Sequence, residues 1–174
     1  MTSAVAIRPA RLQDALQVAD IQVRAWHTAY KGIVSQELLQ EITLARKKSD
    51  WEQTLTKNPS GALVALIDGH IVGWASFGTS RDAGADRATG ELYGMYVDPD
   101  KWRCGIGRSL MRNVELELSK SFLSATLWVL EQNERARRFY ERFGFVLEPK
   151  AIAKPHWLGV NQVRYRIQWP ETTR

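Results

Sequence analysis

Two glycines that follow a predicted strand have the spacing of a phosphate-binding loop. Gly105 and Gly107 lie between the strand that ends at Val97 and the helix that is predicted to begin at Gly107. The first amides of a helix have no backbone acceptor and lie at the positive end of the helix dipole. Glycine lacks the Cβ atom that would keep a phosphate away from these amides. The segment therefore predicts a diphosphate-binding loop. The alternative is a plain strand-to-helix turn that merely needs glycine.

The same segment does not fit two other phosphate-binding motifs. A Walker A loop requires Gly-Lys-Ser or Gly-Lys-Thr, whereas Gly107 is followed by Arg108 and Ser109. A dinucleotide-binding fingerprint requires a third glycine where this chain has Leu110.

A second polar pair lies on one face of a later predicted helix. Asn133 precedes Tyr140 by about two helical turns, so both side chains are expected on the same face. Ala136 lies between them and leaves a gap in which a polar ligand could bind. The alternative is that Asn133 only caps its helix and Tyr140 is a core aromatic residue with a satisfied hydroxyl group.

Alternating and helical hydrophobic patterns predict a mixed α/β fold that positions both segments. The predicted strands are Val5–Pro9, Ala62–Ile67, Ile71–Gly78, Glu91–Val97, Ala125–Leu130, Phe145–Leu147 and Val163–Ile167. The predicted helices are Leu12–Tyr30, one capped by Ser35, one from Thr43 to Lys57, Gly107–Leu118 and one from Asn133 to Phe143. Asp68-Gly69 predicts a hairpin, and the helix between the Glu91 and Ala125 strands predicts a parallel crossover. We expect a twisted, mixed sheet with helices on both faces, in a single domain over residues 1–174.

Composition and charge narrow the class of protein. Of 174 residues, 44% are hydrophobic and 25% are charged, which is typical of a globular chain. The single cysteine, Cys104, excludes an intramolecular disulfide, and with three histidines it excludes a cysteine-rich zinc site, so no metal is expected. The longest apolar run, Ala62–Ile67, is far shorter than a membrane span of about 20 residues. With no recognisable secretory signal, a cytoplasmic protein outside the membrane is expected.

A net charge of +5 suits an anionic ligand, but it also suits nucleic acid. No helix-turn-helix, zinc-finger or RNA-binding aromatic motif is apparent, so a nucleic-acid-binding protein is the less favoured alternative.

Taken together, in this order and spacing, the two segments resemble the GNAT superfamily of acyl-CoA N-acyltransferases. Trp102–Gly107 matches the family's Gln/Arg-x-x-Gly-x-Gly/Ala turn, and Asn133–Phe145 matches a helix that ends Phe-Tyr-x-x-x-Gly-Phe. Trp102 is a departure, because the family usually has glutamine or arginine there. The resemblance covers the whole chain and implies an α/β (α+β) fold whose mixed, mostly antiparallel sheet has about six or seven strands. It also implies an N-acetyltransferase, with a non-catalytic acyl-CoA-binding regulatory protein of the same fold as the alternative.

The resemblance implies acetyl-CoA as cosubstrate and suggests how it is bound. The diphosphate would lie on the amides of the turn, which comprises Arg103, Cys104, Gly105, Ile106, Gly107 and Arg108. The pantetheine would pair like an extra strand with the backbone of Met95, Tyr96 and Val97. Asn133 would bond the pantetheine or a nearby water beside Ala136, and Tyr140 would face the thioester sulfur.

Direct transfer of the acetyl group to an amine requires a base, because an alkyl amine with a pKa of about 10.4 is mostly protonated at neutral pH. Glu91 is the predicted base, since its even spacing from Met95 is expected to place both side chains on one sheet face. A loop-anchoring role is the alternative for Glu91. Tyr140 would protonate the departing thiolate, because a phenol pKa of about 10 is not far from that of a thiol. A nucleophilic Cys104 is less favoured, since no histidine or acid lies nearby in sequence.

The sequence defines the acceptor less clearly than it defines the acetyl-CoA site. Trp26 and Tyr30 lie about one helical turn apart and could line an acceptor pocket, although both also continue the apolar stripe of their helix. The acceptor is expected to carry a primary amine, on a small molecule or a protein N-terminus. A homodimer is compatible with the sequence.

Overall fold

The structure is a computed structural model that describes residues 4–58, 60–148, 154–155 and 159–170. Its strands are β1 (Ala6–Pro9), β2 (Ala62–Ile67), β3 (His70–Thr79), β4 (Thr89–Val97), β5 (Ser124–Leu130), β6 (Val146–Leu147), β7 (Lys154–Pro155) and β8 (Asn161–Gln168). Its helices are α1 (Ala15–Ala29), α2 (Gln36–Gln40), α3 (Leu44–Lys57), α4 (Ile106–Ser119) and α5 (Glu134–Glu141). The predicted elements are all present, with ends that differ by a few residues.

These strands form one mixed sheet in the order β1-β2-β3-β4-β5-β8-β6, and β7 also pairs with β8. Only β4 and β5 pair in parallel, and α4 connects them, which confirms the predicted crossover. The predicted fold class is therefore confirmed. The structure has one strand more than expected, because the two-residue β7 was not predicted from the sequence. In the sheet β8 lies between β5 and β6, an order that no local pattern indicates.

Helices cover both faces of the sheet. On one face, α1 and α3 bury Val64, Ile71 and Trp74. On the other face, the α4 residues Leu110 and Met111 pack on β-strand residues and on α5. The central strand β3 is therefore buried on both sides for most of its length, as expected when both sheet faces are covered.

Local sequence signals explain several of the element ends. The side chains of Ser35 and Thr43 accept hydrogen bonds from the amides of Leu38 and Arg46 and so begin α2 and α3. Asp68 takes a positive φ of 50° in the hairpin turn. The predicted first helix instead begins with a short 3-10 turn at Leu12–Asp14.

Strand β4 contains a bulge that decides the geometry of the site. Ser76 on β3 pairs with Gly94, but the next residue, Phe77, pairs with Leu92, so Tyr93 is an extra residue on β4. The parallel pairing of β4 with β5 also ends at Leu92. Beyond this point the two strands separate, and β4 keeps only β3 as a neighbour.

Candidate active site

The separation of β4 from β5 leaves an open backbone edge. The amide of Asp98 donates to the carbonyl of Val72 on β3, at 2.9 Å. Because backbone groups alternate sides along an antiparallel strand, those of Met95 and Val97 point away from β3 and into the gap. Tyr96 differs, since its backbone groups belong to the ladder with β3. The predicted strand-like pairing with pantetheine is therefore available at Met95 and at the amide of Val97, whereas the carbonyl of Val97 already accepts from Trp102 Nε1 and the backbone of Tyr96 is used by β3.

The turn before α4 presents a set of unpaired amides next to this edge. The first backbone hydrogen bond of the helix is donated by the amide of Ser109 to the carbonyl of Gly105. Within the described ranges, no amide from residue 103 to 108 donates a hydrogen bond to the protein. Arg103 and Gly105 both have a positive φ, of 67° and 80°. Such left-handed residues in a turn direct successive amides toward one side and form an anion-binding concavity.

Gly107 is not required by the packing of the protein itself. A Cβ atom there would lie 3.5 Å from the nearest atom of Phe139, an ordinary van der Waals distance, and 3.9 Å from Val97. Packing alone therefore does not explain the glycine, and the phosphate-binding role of the turn stays a prediction.

The side chains around the turn make contacts that the sequence does not indicate. The indole nitrogen Nε1 of Trp102 donates to the carbonyl of Val97, at 2.9 Å. The guanidinium carbon of Arg135, on α5, lies 3.6 Å from the centre of the Trp102 ring. Cys104 is exposed, and its thiol makes a weak contact with the carbonyl of Trp102, at 3.7 Å. Among the residues that the structure describes, the Cys104 thiol has no basic partner of the kind that a nucleophile needs.

The two polar residues of α5 lie where the sequence places them, at its start and near its end. Asn133 caps the helix, because its Oδ1 accepts from the amide of Ala136 at 3.2 Å, which leaves its side-chain NH2 group to meet a ligand. Tyr140 is buried, and its hydroxyl group makes no hydrogen bond with a described residue. Burial, with a smaller contribution from Tyr96, raises the pKa of Tyr140. The expected match between the pKa of this phenol and that of a thiol is therefore wrong, because desolvation disfavours the phenolate.

Aromatic residues from the end of α1 and from β4 form a separate group, which comprises Trp26, Tyr30 and Tyr96. The hydroxyl groups of Tyr30 and Tyr96 lie 2.7 Å apart, and the Trp26 ring packs against both rings. Burial raises the pKa of Tyr30 to about 12, and Tyr140 makes a smaller contribution in the same direction. Trp26 and Tyr30 are thus core residues at the inner end of the gap, and whether they also contact an acceptor stays a prediction.

Glu91 lies on the opposite sheet face from Met95, so the expectation that both share a face is wrong. Met95 packs on the α4 side with Leu92, which places Glu91 on the other side. The bulge at Tyr93 shifts the alternation by one residue and causes the difference.

The Glu91 carboxylate is buried and bound by Arg81. Its Oε1 lies 2.6 Å from Nη2 of Arg81, and its Oε2 accepts from the Arg81 amide at 2.7 Å. The Arg81 side chain is 62% exposed and lies over the Tyr93 ring. These contacts support the anchoring role, since they hold the loop after β3. The base role stays a prediction.

Among the described residues, no group of three or more His, Cys, Asp or Glu side chains is arranged to hold a metal ion. No helix in the part of the chain that the structure describes has the length and apolar character needed to cross a membrane.

Comparison with known proteins identifies the class of protein to which this fold and site belong. Residues 20–145 match the sequence model of the acetyltransferase (GNAT) family. The chain belongs to this family and is by class an acetyl-CoA-dependent N-acetyltransferase.

Individual relatives are similar over most of this chain. It is 31% identical over 171 residues to the uncharacterised N-acetyltransferase YuaI of Bacillus subtilis, covering 96% of this chain and 94% of that protein. It is 33% identical over 148 residues to mycothiol acetyltransferase of Acidimicrobium ferrooxidans, covering 83% of this chain but 44% of that longer protein. The crystal structure of PaiA N-acetyltransferase from Thermoplasma acidophilum, in complex with coenzyme A, has the same fold, with a TM-score of 0.78 and 22% identity over 95% of this chain and 99% of that one.

Proposed function

We propose that this protein transfers an acetyl group from acetyl-CoA directly to a primary amine while both substrates are bound. The observation that carries the proposal is the set of unpaired amides at residues 103–108 beside the open edge of β4. Amides at a helix start suit a diphosphate, and the open edge suits an extended amide-containing chain. The acceptor is an amine of a small molecule or of a protein N-terminus.

In this proposal the chain binds acetyl-CoA mainly through its backbone. The amides from Arg103 to Arg108 hold the diphosphate, and the backbone groups of Met95 and the amide of Val97 hold the pantetheine. Asn133 lies at the start of α5, where its Oδ1 caps the helix, and in this proposal its NH2 group bonds the pantetheine or a water beside it. Acetyl-CoA itself supplies the activated thioester.

Tyr140 acts at the leaving sulfur in the proposed reaction. Because burial raises its pKa, the Tyr140 hydroxyl keeps its proton at neutral pH and donates a hydrogen bond to the developing thiolate. The donor stabilises negative charge in a site where little water competes.

Glu91 is the proposed base for the amine, acting directly or through a water molecule. Its carboxylate becomes available only if the Arg81 guanidinium moves, since that group occupies Oε1. Movement is compatible with the exposure of the Arg81 side chain. Once the amine has lost its proton, it attacks the thioester carbonyl and forms the new carbon–nitrogen bond. The carbon–sulfur bond then breaks, and the second proton of the nitrogen passes to the departing thiolate, so that CoA leaves as the thiol.

Thermal unfolding with added acetyl-CoA tests the proposal. A ligand at about 100 times its dissociation constant stabilises a folded protein by about 2.7 kcal/mol, so the melting temperature should rise. Gly107→Glu should abolish the rise, because it places bulk and negative charge above the amides. Leu116→Glu adds the same charge at an exposed position of the same helix and should keep the rise.

Two results would count against the proposal. A wild-type melting temperature that is unchanged at millimolar acetyl-CoA contradicts acetyl-CoA binding. Normal binding by Gly107→Glu contradicts the assignment of this loop.

A further inference from the structure

Trp102 joins the two elements that border the open gap. Its Nε1 donates to the last carbonyl of β4, that of Val97, at 2.9 Å. Its ring faces the guanidinium group of Arg135, whose carbon lies 3.6 Å from the ring centre. A guanidinium at this distance over an indole is held by a cation–π interaction. The indole therefore fixes the position of a cation from α5 beside the turn that carries the unpaired amides.

Arg135 differs from the other arginines of its helix in having no polar partner within the described part of the chain. Arg138 pairs with Glu134 at 2.8 Å, and Arg137 bonds the hydroxyl group of Tyr165. In the described residues no carboxylate lies within ion-pair distance of Arg135. Burial, and then the nearby charge of Arg103, lower the pKa of Arg135. Two neighbouring guanidinium groups without an acid between them repel each other, and a bound anion would relieve this repulsion.

We propose that Arg135, held in place by the Trp102 ring, binds a phosphate oxygen of the CoA nucleotide. The inference rests on the proposed function, because it assigns a side-chain contact to the ligand whose diphosphate lies on the neighbouring amides. A guanidinium matches the geometry of phosphate oxygens, and its prior stacking reduces the conformational entropy lost on binding. Trp102 is a positioning residue that acts through Arg135.

The two phosphate sources on CoA are distinguishable by chemistry. The oxygen belongs to the diphosphate or to the 3′-phosphate of the ribose, and dephospho-CoA lacks only the latter. Competition by CoA and by dephospho-CoA against acetyl-CoA, measured as inhibition constants, separates the two sources.

Steady-state kinetics of Arg135→Gln test the proposal. We expect KM for acetyl-CoA to rise about tenfold, the size of one charge-assisted phosphate contact, with kcat unchanged. Arg138→Gln removes the same charge from the same helix, and its KM should stay within twofold of wild type. If Arg135→Gln weakens CoA but not dephospho-CoA, the 3′-phosphate is the partner. If it weakens both equally, the diphosphate is the partner.

Two Trp102 variants separate the ring from its hydrogen bond. Trp102→Phe keeps an aromatic face under Arg135 but loses the bond to Val97, and its KM should stay within about threefold of wild type. Trp102→Leu removes the aromatic face and should raise KM almost as much as Arg135→Gln. The double variant Arg135→Gln with Trp102→Leu should be no worse than Arg135→Gln alone, because the two residues act as a unit.

The results that overturn the inference differ from those that overturn the proposed function. If wild-type protein binds acetyl-CoA but Arg135→Gln keeps a normal KM, the inference alone fails. Equal rises in KM for Arg135→Gln and Arg138→Gln also overturn it, because the effect is then one of net charge. If wild-type protein does not bind acetyl-CoA at all, the proposed function fails. Melting temperatures of all variants confirm that each one is folded.

Discussion

The hydroxyl oxygens of Tyr30 and Tyr96 lie 2.7 Å apart, so a hydrogen bond ties the end of α1 to β4 beneath the active-site gap. Tyr30 is buried and Tyr96 is partly buried, and the Trp26 ring packs against each of them. The bond holds the strand on whose far edge the pantetheine is proposed to lie.

Replacing Tyr30 with phenylalanine should destabilise the protein. The change leaves the buried Tyr96 hydroxyl without one partner, which costs about 1–3 kcal/mol of the free energy of unfolding. Chemical denaturation of both proteins measures the difference. Tyr93→Phe is the control, since it removes the more exposed bond to the carbonyl of Thr79, and its effect should be smaller. A larger loss in Tyr93→Phe contradicts this account.

Removing the hydroxyl group of Tyr140 should affect turnover rather than binding. Tyr140→Phe should lower kcat by about 10²-fold, the lower range for a positioned proton donor, with KM for acetyl-CoA within twofold of wild type. Steady-state kinetics with an identified amine acceptor give both constants. Unchanged kcat, with chemistry shown to limit the rate, would remove Tyr140 from the proposed role.

The alkaline side of the pH–rate profile should not report the ionisation of Tyr140. Because its pKa is raised, the hydroxyl group stays protonated at pH values where an ordinary phenol, with a pKa of about 10, begins to ionise. The kcat of the wild-type protein, measured up to about pH 10, should therefore show no alkaline decrease that is absent from Tyr140→Phe. A decrease of that kind in the wild type alone would show that the phenol ionises more readily than its burial implies.

Paired variants of Glu91 and Arg81 distinguish a base from an anchor. If Glu91 is the base, Glu91→Gln should lower kcat by about 10²-fold or more, while Arg81→Gln, which frees the carboxylate, should keep most of the activity. Rates of acetyl transfer near neutral pH decide between the two roles. Equal, modest losses of activity together with equal losses of stability in both variants would instead assign Glu91 to the anchoring of the loop.

The ion pair of Asp98 with Arg24 predicts a pH-dependent loss of stability. Hydrogen bonding from Arg24, at 2.7 Å and 2.9 Å, holds the pKa of Asp98 below its ordinary value of 3.8. A lowered pKa means that the contribution to stability is complete above the ordinary value and is lost as pH falls through the folded-state value. Asp98→Asn should therefore be less stable than wild type at neutral pH. The difference in melting temperature should shrink below about pH 4, and a difference independent of pH would contradict the assignment.

Local signals were sufficient to predict most of the elements. The bounds of β2 match the sequence pattern, and the caps at Ser35, Thr43 and Asn133 each form the expected bond to a following amide. The glycine turn could also be predicted, because it consists of backbone groups at a helix start rather than of distant side chains. These features are encoded within a few residues of one another.

Contacts between distant segments could not be predicted in this way. The bulge at Tyr93 depends on how β4 fits against β3, and it moves Glu91 to the face opposite Met95. The stacking of Arg135 on Trp102 joins residues from different elements, and nothing in either local sequence indicates it. Likewise, the raised pKa of Tyr140 follows from burial by the complete fold.

The parallel pairing of β4 with β5 involves only residues 89–92 and 124–127. The sheet is therefore two plates, one of β1 to β4 and the other of β5, β8 and β6, that share a short seam. A ligand seated along Met95 and Val97, as proposed, would lie beyond the end of that seam, where no described strand pairs with β4 on that side. Its binding would add hydrogen bonds to the sheet without breaking any that the strands make with one another.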